Sequence, residues 1–525
     1  MLSPDICARA LDARDSRFDG LFFVGITSTG IYCRPVCPAR VSYPERRRFF
    51  ETAASAEQAG FRPCLRCRPE LAPGRALMDA VPRLARVAAH RIEAGALNGS
   101  GVGALAAELG VSERHLRRAL ERELGVSPIE LAQTHRLLLA KRLLADTSLP
   151  VTRIAFASGF QSLRRFNAVF RERYRLSPTA LRRSPRPARE HPSGELIRLT
   201  LGYRPPFHWQ ALLESLVETA LPGVEQIADG SFARTVRIDG HTGVVVVNHA
   251  PERIQLDVDI STGLLPALMP LLARLRQLFD LDADMLGIES TLEQHGLASL
   301  VQERPGLRLP GALDGFEAAM AALVPPDLRG RLVEELGESV ESPLSTPTWL
   351  SPDAHSIARA GTTRLVDLGL PYERARALVD VAGSVIDGSI RLEPGSDAMA
   401  THSALLAISG ITDKLATLII ARALHWPDAF PPADNKLEQR AEAWRPWRAY
   451  AALHLGLLGS EAADVCTASP DASPRRRVSA GAPDVLSPDL RRLGAARRTL
   501  APEGGTGASG QLSRNQPGRA SIHEL

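Results

Sequence analysis

The chain has no run of about 20 apolar residues, the length a membrane-spanning helix needs. Its first ten residues already carry Asp5 and Arg9 and lack the order of an export signal. Together these absences imply a soluble, cytoplasmic protein. Lysine is nearly missing, with only Lys141, Lys414 and Lys436 among 63 basic residues, so positive charge is almost all guanidinium. Cysteine is also scarce, at six in 525 residues. A disulfide-stapled scaffold is short and exported, and this chain fits neither description. Cys7 and Cys466 have no other cysteine near them in the sequence. The other four fall in two close pairs, Cys33/Cys37 and Cys64/Cys67, which points to metal.

What is present is enough apolar residue, 44%, to build several cores. Charge is divided unevenly along the chain. Residues 1–190 carry 32 Lys+Arg against 18 Asp+Glu, and residues 191–525 carry 31 against 41. Contacts to a polyanion therefore belong to the first block.

Composition and periodicity suggest a mainly α, multidomain chain. Residues 1–75 form a small Cys-, Pro- and Arg-rich α+β domain that needs a metal staple. Residues 80–183 read as short helices, and Ser184–Ser193 as a Pro-rich linker. Alternating apolar residues mark an α+β domain over 194–285. A helical domain follows over 290–460, and 461–525 reads as a disordered tail.

One unit repeats at a spacing of 49–50 residues. Gly110-Val111-Ser112 opens a helix with Leu116, Leu120 and Leu124 on one face, closed by Val126-Ser127-Pro128. Gly159-Phe160 then leads through Ser162 to Phe166, Phe170 and Tyr174, closed by Leu176-Ser177-Pro178. Short helix, glycine turn, serine N-cap and second helix make a helix-turn-helix, present twice.

Two short cysteine spacings joined by a longer loop let four thiolates converge tetrahedrally on one ion, and zinc suits four soft sulfurs. Spacing alone favours a purely structural zinc. The residues around the cysteines say more. Thr29–Arg40 (TGIYCRPVCPAR) and Phe61–Pro69 (FRPCLRCRP) closely resemble the zinc domain of the Ada family, over about residues 12–70. The resemblance implies repair of DNA methylphosphotriesters. Cys33 would then be both zinc ligand and methyl acceptor, and Cys37, Cys64 and Cys67 the remaining ligands. Losing one negative charge on methylation would strengthen DNA binding and make the domain a sensor. Arg34, Arg40 and Arg46 to Arg48 are expected phosphate contacts.

Residues 84–183 resemble an AraC-type DNA-binding domain. Its second helices would enter successive major grooves, with Arg114, His115, Arg117 and Arg118 facing DNA from the first unit. Arg164, Arg165 and Asn167 would do so from the second. The implied partners are alkylated and promoter double-stranded DNA and, for an activator, RNA polymerase.

Leu405–Lys414 (LLAISGITDK), Pro427–Asp434 (PDAFPPAD) and Ala443–His454 (AWRPWRAYAALH) resemble AlkA-type 3-methyladenine DNA glycosylases, with Gly306–Phe316 and the 194–285 segment in support. The resemblance implies a helix-hairpin-helix fold, Asp434 as the carboxylate that stabilises the cationic sugar, and Gly410 in a hairpin whose amides hold a phosphate. Four departures stand out. Thr412 replaces the hairpin's second glycine, where a β-branched residue fits a left-handed turn poorly. Lys414 and Gly456 replace pocket tryptophans, and the helix after Asp434 looks short. No Pro-Cys-His-Arg marks an O6-alkylguanine transferase. The expectation is a fused methyl-acceptor sensor, DNA-binding activator and glycosylase. The alternative is a methylation-sensing regulator whose C-terminal half only grips DNA.

Overall fold

The computed structural model describes residues 4–15, 18–39, 42–72, 83–182, 195–342 and 344–459. All lie in the compact unit Met1–Arg475. The expected linker at Ser184–Ser193, the tail with Cys466, and Arg40 fall outside the described residues, apart from the linker's neighbours.

The first module pairs α1 (Pro4–Asp12) with a four-stranded sheet. Its strands are β1 (Phe23–Ile26), β2 (Ile31–Cys33), β3 (Arg47–Phe50) and β4 (Arg62–Pro63), ordered β3-β1-β2-β4. The hairpin β1–β2 sets Val24 opposite Cys33, and β4 runs parallel to β2. Between β3 and β4 lies α2 (Ala53–Gln58), started by a Thr52/Ser55 capping box. Three small aromatic and aliphatic clusters fill this module, with the four paired cysteines forming part of one.

Seven helices follow: α3 (Arg83–Glu93), α4 (Val102–Glu108), α5 (Glu113–Leu124), α6 (Pro128–Asp146), α7 (Val151–Ala157), α8 (Leu163–Tyr174) and α9 (Pro178–Arg182). The repeat folds as its residues dictate. Ser112 and Ser162 cap α5 and α8, accepting from His115 N and Arg165 N. Gly110 and Gly159 turn with φ of +67° and +83°, a region open mainly to glycine. A Cβ on Gly159 would also meet the Asn98 side chain at 2.4 Å. Leu116, Leu120 and Leu124 on α5, and Phe166, Phe170 and Tyr174 on α8, are buried. The long α6 joins the two units from a Ser127/Glu130 capping box with Pro128 in its first turn.

The third module is a five-stranded antiparallel sheet, ordered β5-β9-β8-β7-β6. It comprises β5 (Leu196–Gly202), β6 (Glu225–Ala228), β7 (Ser231–Ile238), β8 (His241–Ala250) and β9 (Gln255–Ser261). Helices α10 (Trp209–Val217) and α11 (Leu268–Leu278) belong to it. One apolar core runs from Leu137, Phe166 and Phe170 into Leu199, Val258 and Leu271. The second helix-turn-helix unit and the sheet, which the sequence presents as neighbours across a linker, thus share a core.

The fourth module is helical: α12 (Met285–Leu292), α13 (Ala298–Glu303), α14 (Gly315–Leu323), α15 (Pro326–Leu336), α16 (Ala354–Asp367) and α17 (Tyr372–Ile386). It continues with α18 (Ala398–Leu406), α19 (Asp413–Ala423), α20 (Asn435–Ala441) and α21 (Arg448–His454). A short pairing of β10 (Glu338–Ser339) with β11 (Trp349–Leu350) interrupts it. One core gathers α14 to α19. A second joins α12 and α13 to Trp444 and Tyr450. Among the described residues, no helix is long and apolar enough to cross a membrane.

Candidate metal centre and nucleic-acid interface

The β2 strand ends on Cys33, and a tight turn follows in which Cys37 N donates to Arg34 O at 3.1 Å. The second pair is brought in by the neighbouring edge strand β4, Cys64 N donating to Tyr32 O at 2.9 Å. The four Sγ atoms consequently lie within 4.8 Å of one another. A tetrahedral zinc with bonds of about 2.3 Å needs sulfurs about 3.8 Å apart, so the cluster fits the ion. Leu11, Val24 and Phe49 pack around it.

The sulfurs crowd one another. Hydrogen bonding to Cys37, Cys64 and Cys67 pushes the Cys33 thiol far up, and the Cys33 bond draws Cys37 down to about 7. A cluster this small holds four thiolates only around a soft cation, and the donor set suits one Zn2+. The four cysteines are the zinc set. Chelating the metal is expected to erase hydrogen-exchange protection across β1, β2 and β4 while α5 and α8 stay protected. Protection that persists in β1 and β2 would mean the sheet stands without its staple.

Backbone donors treat the sulfurs unequally. Arg34 N donates to Cys67 Sγ and Arg66 N to Cys64 Sγ, each at 3.4 Å. Among the described residues, no backbone N–H donates to Cys33 Sγ or to Cys37 Sγ.

Residues flanking the cysteines reach into the helices. Lys141 Nζ on α6 donates to Cys64 O at 3.0 Å and to Glu70 at 2.6 Å. Arg68, next to Cys67, donates two hydrogen bonds to the Asp146 carboxylate at the end of α6, at 2.6 and 2.5 Å. Tyr32, next to Cys33, donates to the buried Glu57 carboxylate at 3.0 Å. Thr134 of α6 donates to the other Glu57 oxygen at 3.0 Å, and Arg173 of α8 lies 3.5 Å from it.

Burial pushes Glu57 up to about 7 against the pull of Arg173 and its hydrogen bonds. Because the folded pKa is raised, this carboxyl contributes stability below its ordinary value of about 4.5 and loses it as pH rises to about 7. Glu57→Gln is expected to match wild type in unfolding free energy at pH 5 and exceed it at pH 8, by at most ~3 kcal/mol. Parallel pH curves for the two proteins would refute the assignment.

The expected DNA contacts divide. On α5, Arg114, His115 and Arg118 are exposed, while Arg117 is half-buried and bonded to Glu113 at 2.5 Å. On α8, Arg164 and Arg165 are exposed and Asn167 is half-buried. Arg46 and Arg48 are exposed, and Arg47 is tied to Ser42 O and Asp12. Arg34 turns inward. Its Nε donates to Asp19 at 2.8 Å, its Nη2 pairs with the same carboxylate, and its Nη1 reaches Cys67 O at 3.3 Å.

In the helical module, α18 and α19 meet in a hairpin. Gly410 turns with φ +90°, and a Cβ there would sit 2.9 Å from Glu373 O, so glycine is required. Thr412 needs no left-handed turn. Its φ is −82°, and its hydroxyl accepts from Leu415 N at 3.3 Å, capping α19. The expected strain is absent because the residue is an N-cap. Gly456, with φ +72°, ends α21 in a turn closed by Leu457 N to Ala452 O at 2.8 Å.

Asp434 is exposed and caps the seven-residue α20, accepting from Leu437 N at 2.8 Å. Trp444 is fully buried, its Nε1 donating to His295 O at 3.0 Å. Sequence reasoning missed the buried polar link between third and fourth modules. Tyr450 donates to Asp280 at 2.8 Å, Arg308 to Asp280 O at 2.7 Å, and His425 to Leu309 O or Asp280 at 3.1–3.4 Å. The partners are too far apart in sequence to signal one another.

The chain matches three family models: the metal binding domain of Ada over residues 6–70, a helix-turn-helix domain over 105–184 and the AlkA N-terminal domain over 198–314. It is 35% identical over 482 residues to a probable bifunctional transcriptional activator/DNA repair enzyme AlkA of Mycobacterium tuberculosis, covering 86% of this chain and 95% of that protein. DNA-3-methyladenine glycosylase 2 of Escherichia coli is 30% identical over 277 residues, 49% of this chain and 95% of that one. The bifunctional transcriptional activator/DNA repair enzyme Ada of Escherichia coli is 34% identical over 125 residues, 24% and 34% of the two chains.

Proposed function

The chain belongs to the family of bifunctional transcriptional activator/DNA repair enzymes of the AlkA type, and from that premise we propose that it repairs alkylated DNA at two sites and regulates transcription. Cys33 accepts a methyl group from DNA methylphosphotriesters. The observation that carries this is the unequal backbone bonding of the four sulfurs: Cys64 and Cys67 each accept an N–H, and Cys33 accepts none among the described residues. An N–H donor withdraws charge from a thiolate, so the first cysteine pair keeps the more nucleophilic sulfurs, and within it the likeness to the Ada metal binding domain favours Cys33. Bound zinc keeps these sulfurs deprotonated near neutral pH.

In the transfer, Cys33 Sγ attacks the methyl carbon. The S–C bond forms as the methyl C–O bond breaks, and the electron pair stays on phosphate as a diester anion. No proton moves. A thioether replaces a thiolate, so the site loses one negative charge and repels DNA phosphate less. The exposed Arg114, His115, Arg118, Arg164 and Arg165 read promoter DNA, joined by Arg117 and Asn167, with RNA polymerase as the partner of an activator. Arg40 is a further phosphate contact. A reducing, cytoplasmic setting suits the thiolate cluster.

The C-terminal half excises N-alkylated purines of the 3-methyladenine type. Asp434 stabilises the cationic sugar as the C–N bond breaks and orients the water that adds, while Gly410 lets the hairpin amides approach a phosphate. A second reading is favoured by Lys414 and Gly456, which stand where aromatic pocket walls are expected: this half grips DNA without cutting. Release of free 3-methyladenine or 7-methylguanine from methylated duplex separates the two. Release supports excision. No release from protein whose Cys33 takes up methyl leaves a sensor and regulator.

A further inference from the structure

Asp19 is a buried carboxylate in the loop before β1. It is held from two sides. Its carboxylate takes Arg34 Nε at 2.8 Å and also Arg34 Nη2. Its carbonyl takes Nε of the buried Arg204, from the third module, at 3.2 Å. Arg204 in turn donates to Asp282 O at 2.8 Å. Asp19 is therefore a fixed anchor, and Arg34 is what it fixes.

Arg34 directly follows Cys33 and forms the first corner of the turn to Cys37. Its side chain is tied to Asp19 and to Cys67 O. Its carbonyl accepts from Cys37 N. With those points fixed, its N–H is committed to Cys67 Sγ at 3.4 Å. That N–H lies one bond from the Cys33 carbonyl carbon and is the donor best placed by sequence to shift between sulfurs when the turn loosens. A bidentate Arg–carboxylate fork fixes orientation better than a single bond.

We propose that Asp19 is a positioning residue for methyl transfer: by holding Arg34 turned inward, it commits the Arg34 N–H to Cys67 and keeps that donor off the neighbouring Cys33, whose sulfur stays strongly nucleophilic. This rests on the reading of Cys33 as methyl acceptor. It also explains why an arginine beside the reactive cysteine is withheld from DNA phosphate.

The test uses the full zinc-loaded chain and two methyl donors. One is duplex DNA carrying a methylphosphotriester. The other is methyl iodide, which needs no DNA contact. Zinc content, the rate of uptake, the cysteine labelled (by peptide mass spectrometry) and exchange of the Arg34 amide are measured for wild type, Asp19→Ala and Asp19→Glu. Asp19→Ala is expected to keep its zinc, exchange the Arg34 amide faster, slow Cys33 methylation by about tenfold with both donors, and place part of the methyl on Cys67. Asp19→Glu is expected to recover part of the rate. Unchanged rate with label on Cys33 alone, in zinc-loaded Asp19→Ala, overturns the proposal. Should Asp19→Ala lose zinc, Arg34→Lys decides: it keeps the cation and the N–H but cannot span Asp19 and Cys67 O, and it should reproduce the slowed, divided labelling. Wild type that takes methyl from neither donor overturns the acceptor reading, and this proposal with it.

Discussion

Cys33→Ala is expected to lower methyl uptake from methylphosphotriester DNA from about one group per chain to none, because only a thiolate attacks that carbon at a useful rate. The other three sulfurs do not rescue it. Cys64 and Cys67 each accept a backbone N–H, which draws charge from their sulfurs. The variant should retain zinc, since three sulfurs and a water satisfy a tetrahedral ion. Its second consequence is more informative. Alanine removes one negative charge from the cluster, as methylation does. Two charges about 6 Å apart at an effective dielectric near 20–40 interact by about 1–3 kcal/mol, so promoter affinity should rise on the order of tenfold without any methyl donor, and less so at high salt. Gel-shift titration at two ionic strengths reads this directly. Methyl uptake by Cys33→Ala would move the acceptor elsewhere. Abolished uptake with unchanged affinity would keep the chemistry and discard the charge switch.

Local signals carried much of this molecule in its sequence. The spacing of Cys33, Cys37, Cys64 and Cys67 anticipates the cluster because each pair lies in one tight turn, and only the intervening sheet had to be supplied. The twofold helix-turn-helix is legible for the same reason: Ser112 and Ser162 cap by local bonds, and the buried faces recur at helical spacing. What escaped the sequence is long-range and polar. Glu57 carries no signal of its own in the sequence, yet Thr134 and Arg173 cover it from 77 and 116 residues away. Arg34 reads as a phosphate contact, and only Asp19 explains its inward turn. Thr412 reads as a flaw in the hairpin when judged by the residue it replaces, and as an N-cap when judged by its own backbone. The linker before β5 suggests independent neighbours, whereas the core from Phe166 to Val258 makes the second reading unit and the sheet one packed body.

Asp434→Asn is expected to slow base release from methylated duplex by about 100- to 10,000-fold, the range over which a positioned charged or proton-transferring group acts. The substitution is unusually clean. The Asp434 side chain caps α20 through Leu437 N at 2.8 Å, and asparagine caps a helix about as well as aspartate. Unfolding free energy should therefore move by no more than about 0.5 kcal/mol, and methyl uptake at Cys33 should not move at all. An exposed carboxylate with one oxygen spent on a cap still has lone pairs for a sugar cation and a water. Gly410 offers a contrasting control. A Cβ there would press on Glu373 O, so Gly410→Ala should weaken the grip on DNA and raise the protein concentration needed for half-maximal release. Base release that survives Asp434→Asn with unchanged rate would assign the sugar cation to another carboxylate. A wild type that releases nothing yet binds DNA through Gly410 would make this half a clamp, with the zinc cluster as the chain's sole repair chemistry.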